Sequence, residues 1–171
     1  MSQTDLTRKI DPQDMRNAFG CFATGVAIVS ACTPEGRMIG MTVNSISSVS
    51  MQPPALSWCI RNQSPNYENF TDARYFGVSI LAHDQESVCR RFATPLEDKF
   101  FGVSVEEGET GVPLIHSAVA AFECERIEAF PCGDHAIVIG QIVRYAWARQ
   151  RSPLLFFQGT LYPGTHLNRD A

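Results

Sequence analysis

Apolar positions recur along this chain at two periods, and each change of period marks an element. Met15, Ala18, Phe19 and Phe22 follow one another at helical spacing behind Asp11-Pro12, an N-cap residue with proline at the first helical position. They predict a helix with one face in the core, ended by Gly25. Val26 to Cys32 is an apolar run of strand length. Thr33-Pro34-Glu35-Gly36 has turn chemistry, and Arg37 to Thr42 returns as the second strand of a hairpin. Residues 55–61 form another apolar strand. Ser64-Pro65 reads as a cap that starts a short helix through Phe70. Tyr75 to Leu81 is a strand, and Asp84 caps a helix carrying Val88, Cys89 and Phe92. Residues 94–113, with three glycines, two prolines and the acidic run Glu106-Glu107-Gly108-Glu109, predict a long, partly irregular loop. Ala118 to Phe130 alternates as a strand, Pro131 to Asp134 is a turn, His135 to Trp147 is a long strand, and Pro153 to Leu161 is the last.

Roughly seven strands and three short helices, joined mostly by short connections, predict a mainly β, antiparallel barrel or sandwich with helices at its ends. One stretch departs from the usual alternation of an apolar face with a charged wet face. Residues 40–50 carry six hydroxyl or amide side chains and no charge, interleaved with Met41, Val43, Ile46 and Val49. A short, neutral, donor-rich face suits a flat or polar ligand; a plain edge strand has the same residue types. Pro53-Pro54 is expected to break the ladder that follows, since proline cannot donate to it.

The length of 171 residues fits a single domain, with residues 1–11 and 165–171 as loose termini. A net charge of −4 provides no basic field for nucleic acid. No apolar run approaches the ~18 residues of a membrane span, and the first residues have no apolar signal core, so a cytoplasmic protein is expected. The six cysteines form no C-x-x-C and no zinc-finger spacing, and most lie in apolar runs, so buried thiols are expected rather than disulfides. No glycine pair is spaced G-x-G, and phosphate-loop, H-E-x-x-H and G-x-S-x-G motifs are absent, which leaves a metal centre without support. If the chain is an enzyme, its chemistry is expected to belong to a bound cofactor.

Six motifs in order nevertheless form a familiar set. They are Phe22-Ala23-Thr24-Gly25-Val26; residues 40–50 with Pro53-Pro54; Phe76-x-Val78-x-Ile80-Leu81-Ala82-x-x-Gln85; Asp98-Lys99-Phe100; Gly133-Asp134-His135; and Pro153-Leu154-Leu155-Phe156-Phe157-x-Gly159. Over residues ~13–163 the chain resembles the flavin reductase-like family, the small reductase components of two-component flavin monooxygenases. The family often has Phe and Thr where this chain has Ile46 and Ser47.

The resemblance implies an antiparallel Greek-key split barrel with a few short peripheral helices, a homodimer, and FMN or FAD in a groove at the dimer interface. It implies hydride transfer from C4 of NADH or NADPH to flavin N5, with reduced flavin passed to a partner monooxygenase. Thr42, Val43, Asn44, Ser45 and Ser47 would bond the flavin edge through backbone N–H groups and small side chains. Ser48, Arg61 and Ser64 would anchor its phosphate, Arg61 as a charged fork and Ser64 from a helix start. Cys59 and Ile60 would lie near the flavin. Ala82, Gln85 and Phe92 would line its ribityl or adenosine side, with Lys99 reaching a phosphate from a mobile loop. His135 is the candidate catalytic residue, on the nicotinamide side. Of Phe156 and Phe157, strand alternation lets at most one stack there; Phe157 is carried as the cofactor contact. The alternative functions are a flavoprotein that keeps its FMN and passes electrons to a protein partner, or a non-enzymatic barrel binding another ligand.

Overall fold

The computed structural model describes residues 9–165. The expected loose termini fall mostly outside that range. In chain order the elements are helix α1 (Pro12–Gly20), strands β1 (Thr24–Gly25), β2 (Ala27–Cys32), β3 (Met38–Val43), β4 (Ser47–Met51) and β5 (Pro54–Arg61), then helix α2 (Tyr67–Asp72), strand β6 (Tyr75–Ile80) and helix α3 (Glu86–Ala93). Strands β7 (Val105–Glu107), β8 (Pro113–Ile115), β9 (Ala120–Cys132), β10 (His135–Trp147), β11 (Leu154–Phe157) and β12 (Thr160–Pro163) complete the chain.

Seven strands form the main sheet in the order β3-β2-β6-β9-β10-β5-β4, all antiparallel. Its two edges, β3 and β4, are consecutive in sequence and joined only by Asn44, Ser45 and Ile46. Three residues span at most about 10 Å, so the sheet must curl until its edges nearly meet. The result is a barrel with one unsealed seam, the antiparallel split barrel that the resemblance implies. The neutral polar stretch crosses that seam. A smaller sheet, β1-β11-β12, stands beside it.

The barrel is filled around Trp58, fully buried, whose ring meets Phe70 edge-on at 5.4 Å and Phe76 at 5.9 Å. A second cluster under α3 holds Phe92 against Phe100, 4.9 Å apart and edge-to-face. Gly40 of β3 makes room for it: a Cβ there would lie 2.4 Å from Cε1 of Phe92.

Several sequence expectations change. Asp11 does cap α1, accepting from the N–H groups of Gln13 and Asp14, but α1 buries none of its residues. Phe19 and Phe22 are 73% and 76% exposed, so the apolar face expected in the core faces outward. Residues 40–50 are two strands rather than one. Pro53-Pro54 does not end a ladder: Gln52-Pro53 forms the tight turn of the β4–β5 hairpin, and Pro54 pairs with Met51. Helix α2 begins at Tyr67 behind Asn66, so Ser64 caps nothing. Helix α3 is preceded by Gln85, and Asp84 is instead paired with Arg151 at 2.6 Å. Pro131 and Cys132 stay in β9, leaving the two-residue turn Gly133-Asp134. The closing segment folds back on itself through Gln158 and Gly159, both at positive φ, the geometry of a two-residue hairpin turn. The irregular segment after α3 contains the β7–β8 hairpin. All six cysteines are free thiols, but Cys21 and Cys132 are exposed rather than buried.

Candidate active site

The β2–β3 ladder ends at the pair Ala27–Val43, and the β4–β5 ladder begins at Ser47–Ser57. Asn44, Ser45 and Ile46 lie between the two. This is where a hydrogen-bonded strand can present backbone donors sideways. Beside it opens a groove of about 430 Å³. Thr42, Val43 and Asn44 form one wall, Cys89, Arg90 and Ala93 of α3 the second, and Phe156 with the Gly159–Leu161 segment the third, with Val26 also lining it. Its lining mixes apolar surface with neutral hydroxyl and amide groups, one guanidinium and no carboxylate. A flat heteroaromatic ring with a polar edge and an anionic tail matches that donor set.

Two hydroxyls at the seam already have partners, which fixes what each has left to offer. Thr42 Oγ1 donates to the carbonyl of Cys89 at 2.7 Å, tying β3 to α3, so it is left as an acceptor. Ser45 Oγ accepts from the N–H of Cys59 at 3.0 Å, so its own proton is left to donate. Asn44 is exposed, as are Ser47 and Ser48 on the edge strand β4.

Ser45 also joins the groove to the outer face of β5 and β10. Side chains alternate along a strand, so buried Trp58 and Ile60 point inward while Cys59 and Arg61 point out. Across the ladder Cys59 stands opposite Ile137, and Arg61 opposite His135. Ile60, fully buried, can offer a ligand only its backbone. His135 Nδ1 lies 2.8 Å from Asp134 Oδ1. That hydrogen bond, with the charges of His135 and Arg61, holds the Asp134 carboxyl below its ordinary range. Asn62 clamps the same turn, its N–H bonded to the carbonyl of Asp134 at 2.9 Å and its Nδ2 to that of Gly133 at 3.1 Å. Ser64 donates its N–H to the carbonyl of Arg61 in a turn of its own. The helix start expected to give Ser64 free donors is not there.

Other expected residues have structural employment. Gln85 uses both ends of its amide: Oε1 accepts from the N–H of Ala82 at 2.9 Å, and Nε2 donates to the carbonyl of His116 at 2.8 Å. It lines a second groove of about 360 Å³ on the other face of α3, with Arg91 and Phe101. Ala82 is fully buried, bridged to Pro153. Phe92 is 1% exposed, a core side chain rather than a groove wall. Lys99 does not swing free: its Nζ donates to the carbonyl of Phe92 at 2.8 Å, and burial pushes its pKa down. Phe156, not Phe157, faces the groove. Cys89, Arg90, Ala93, Gly159 and Thr160 were not expected. The helical spacing of Cys89 and Ala93 could have suggested a shared face, but the turn at Gln158-Gly159 was hidden inside an apparent single strand.

With this geometry in place, the chain can be compared with known proteins. The family described as flavin reductase like domain matches residues 19–165. A probable flavin reductase of Rhizobium meliloti (strain 1021) is 42% identical over 135 residues, 79% of this chain and 43% of that protein. The reductase component of the flavin-dependent trigonelline monooxygenase of Acinetobacter baylyi is 40% identical over 148 residues, 86% of this chain and 47% of that protein. The chain thus spans less than half the length of these two curated relatives. Among solved structures, the Streptomyces globisporus NADH:FAD oxidoreductase in complex with NAD and FAD fragments superposes with a TM-score of 0.86 at 34% identity, covering 96% of this chain and 99% of that one. The match over residues 19–165 takes in the seam, the groove and the His135 turn, and the chain belongs to the flavin reductase-like domain family.

Proposed function

We propose that this chain is an NAD(P)H-dependent flavin reductase that reduces FMN or FAD and delivers the product to a monooxygenase partner. The observation that carries the reading is the uncharged, donor-bearing seam at Thr42–Ser45, beside a groove of mixed apolar and polar lining and linked through Ser45 to the strand that ends in Arg61, opposite His135. Support for the nicotinamide and the partner comes from the relatives, one described as a monooxygenase reductase component and one solved with NAD and FAD fragments.

A bound flavin supplies the acceptor position for hydride from the nicotinamide. The chain supplies binding and orientation. Ser45 donates through its free proton, Thr42 accepts, Asn44 does both, and unladdered N–H groups of the seam stabilise negative charge developing at the ring edge. Arg61 or Arg90 offers a fork to a phosphate. Asp134, acceptor-only when ionised, fixes the His135 ring through its hydrogen bond to Nδ1, which leaves Nε2 for the nicotinamide. Phe156 gives the groove an aromatic wall.

We also infer a homodimer. Phe19 of α1 and Phe22 just after it, 73% and 76% exposed, and Met51 and Tyr145, 80% and 70% exposed, are large apolar side chains without cover in one chain. A second copy would bury them. Among the described residues no helix is long and apolar enough to cross a membrane.

Flavin titration with dialysis tests the reductase reading against a permanently loaded flavoprotein. The reductase gives colourless protein after dialysis and flavin binding that is saturable and reversible. Protein that stays yellow through dialysis favours the electron carrier.

A further inference from the structure

Among the described residues, the groove beside the seam is lined by one charged side chain, Arg90 of α3. Arg61 does not line it and points outward from β5. Arg90 is already paired. Its Nε and Nη2 reach the same oxygen, Oε1 of Glu86 one turn back along the helix, at 2.8 and 2.7 Å. Two N–H groups converging on one oxygen fall short of the two parallel bonds that a guanidinium makes with a well-placed carboxylate or phosphate. The pair is also open to water, its side chains 67% and 49% exposed, and such pairs contribute little and are screened by salt. A phosphate ester brings nearly two negative charges and three acceptor oxygens to the same guanidinium. Both charges are felt at the groove wall: the Cys89 thiol, which lines it, is pushed up by burial first, drawn down by Arg90 and pushed up by Glu86.

We propose that Arg90 is the groove's phosphate-binding residue and that Glu86 is its internal competitor, a carboxylate that the phosphate of a flavin nucleotide must displace. This assignment rests on the reductase reading and deepens it. Thr42, Val43 and Asn44 form one wall and receive the ring edge, so the cation on the α3 wall is left for the phosphate-bearing tail. Glu86 then sets how long the nucleotide stays. A flavin delivered to another protein must leave after reduction. A guanidinium that returns to its own carboxylate as the phosphate departs favours release, and differences in affinity between related complexes lie mostly in the dissociation rate. Phosphate affinity is held below what Arg90 alone would give.

The test is a flavin fluorescence titration of the full chain without nicotinamide, using FMN and using riboflavin, which lacks the phosphate. Glu86→Gln should tighten FMN about two- to fivefold, the value of an exposed ion pair. Arg90→Gln should weaken FMN about tenfold, the value of a charge-assisted hydrogen bond. Riboflavin affinity should stay within about twofold in both. In the double variant Glu86→Gln should add nothing, because it acts only through Arg90. Both side chains are exposed, so both single variants should melt as wild type does. Unchanged FMN affinity in either single variant overturns the proposal, as does riboflavin binding that changes along with FMN binding. An effect of Glu86→Gln that survives the loss of Arg90 is general charge repulsion and also overturns it. The pyrophosphate of a nicotinamide nucleotide offers the same chemistry; a raised KM for NADH in Arg90→Gln with FMN affinity unchanged would give Arg90 to that nucleotide instead. If wild type binds FMN as described but oxidises neither NADH nor NADPH with any flavin, the reductase reading fails on its own; if it binds no flavin, both fail.

Discussion

His135 Nδ1 and Asp134 Oδ1 are 2.8 Å apart, on adjacent residues at the start of β10. Register sets His135 opposite Arg61 at the end of β5, so the imidazole is held by a carboxylate at a strand end that also carries a guanidinium. The ring cannot turn without breaking the bond to Asp134. Replacement of His135 by Ala should therefore lower kcat/KM for the nicotinamide about tenfold or more, the value of a lost oriented hydrogen bond. Flavin affinity should stay within about twofold. Steady-state kinetics and a flavin fluorescence titration on the same preparation check both halves. Loss of flavin binding together with the fold would make His135 structural.

The contact of Gly40 with Phe92 carries a stability prediction. An alanine Cβ at position 40 would lie 2.4 Å from Phe92 Cε1 and 3.1 Å from Phe100 Cζ, both in a closed cluster. Gly40→Ala should cost about 1–3 kcal/mol by overpacking. At about 2–4 °C per kcal/mol for a chain of this size, thermal melting should fall by roughly 2–12 °C.

Glu123 gives a pH prediction. It is only 6% exposed. Burial by itself would raise its pKa, but the Thr110 hydroxyl, the N–H groups of Thr110 and Glu109, and the charge of Arg144 outweigh it, and the net shift is downward from 4.5. A carboxyl depressed in the folded state contributes stability that is complete above its unfolded value and is lost as pH falls through the folded one. Glu123→Gln should be less stable than wild type by about 1–3 kcal/mol near neutrality. The gap should close below about pH 4, where the unfolded carboxyl is protonated and the folded one follows. Urea unfolding at several pH values reads this directly; a gap that does not change with pH would remove the charged network as its cause.

The exposed apolar side chains at the end of α1 and just after it predict association. Phe19→Ser with Phe22→Ser should shift the protein from dimer to monomer in sedimentation velocity while leaving its circular dichroism unchanged, because neither side chain packs in its own chain. A dimer that survives both changes puts the interface elsewhere.

How much of this was legible in the sequence depended on whether the signal was local. Asp11-Pro12, the Pro34-Gly36 turn and the alternation from Ala118 to Phe130 gave helix start, hairpin and strand correctly, because capping, turn and period-two rules act over a few residues. The Phe19–Phe22 face was misplaced because helical spacing reports an apolar stripe without saying what covers it. Ser64-Pro65 looked like a helix start, yet the chain spends Ser64 on a turn and begins α2 at Tyr67, behind Asn66. In the site, the seam residues Thr42 to Ser45 stood out by their lack of charge. Arg90, Gly159 and Thr160 did not, since only the tertiary placement of α3 and the β11–β12 hairpin around the groove beside β3 makes them neighbours. Lys99 and Gln85 carried suggestive side chains whose polar atoms turn out to be spent on backbone carbonyls and an N–H group.

The central claim is flavin-dependent oxidation of a nicotinamide nucleotide, and a single matrix of spectrophotometric assays tests it: NADH and NADPH, each with FMN, FAD, riboflavin or no flavin. Absorbance at the reduced-nicotinamide band should fall with at least one nicotinamide, at a rate that saturates with added FMN or FAD and vanishes without flavin. Consumption of neither nicotinamide with any flavin would contradict the account.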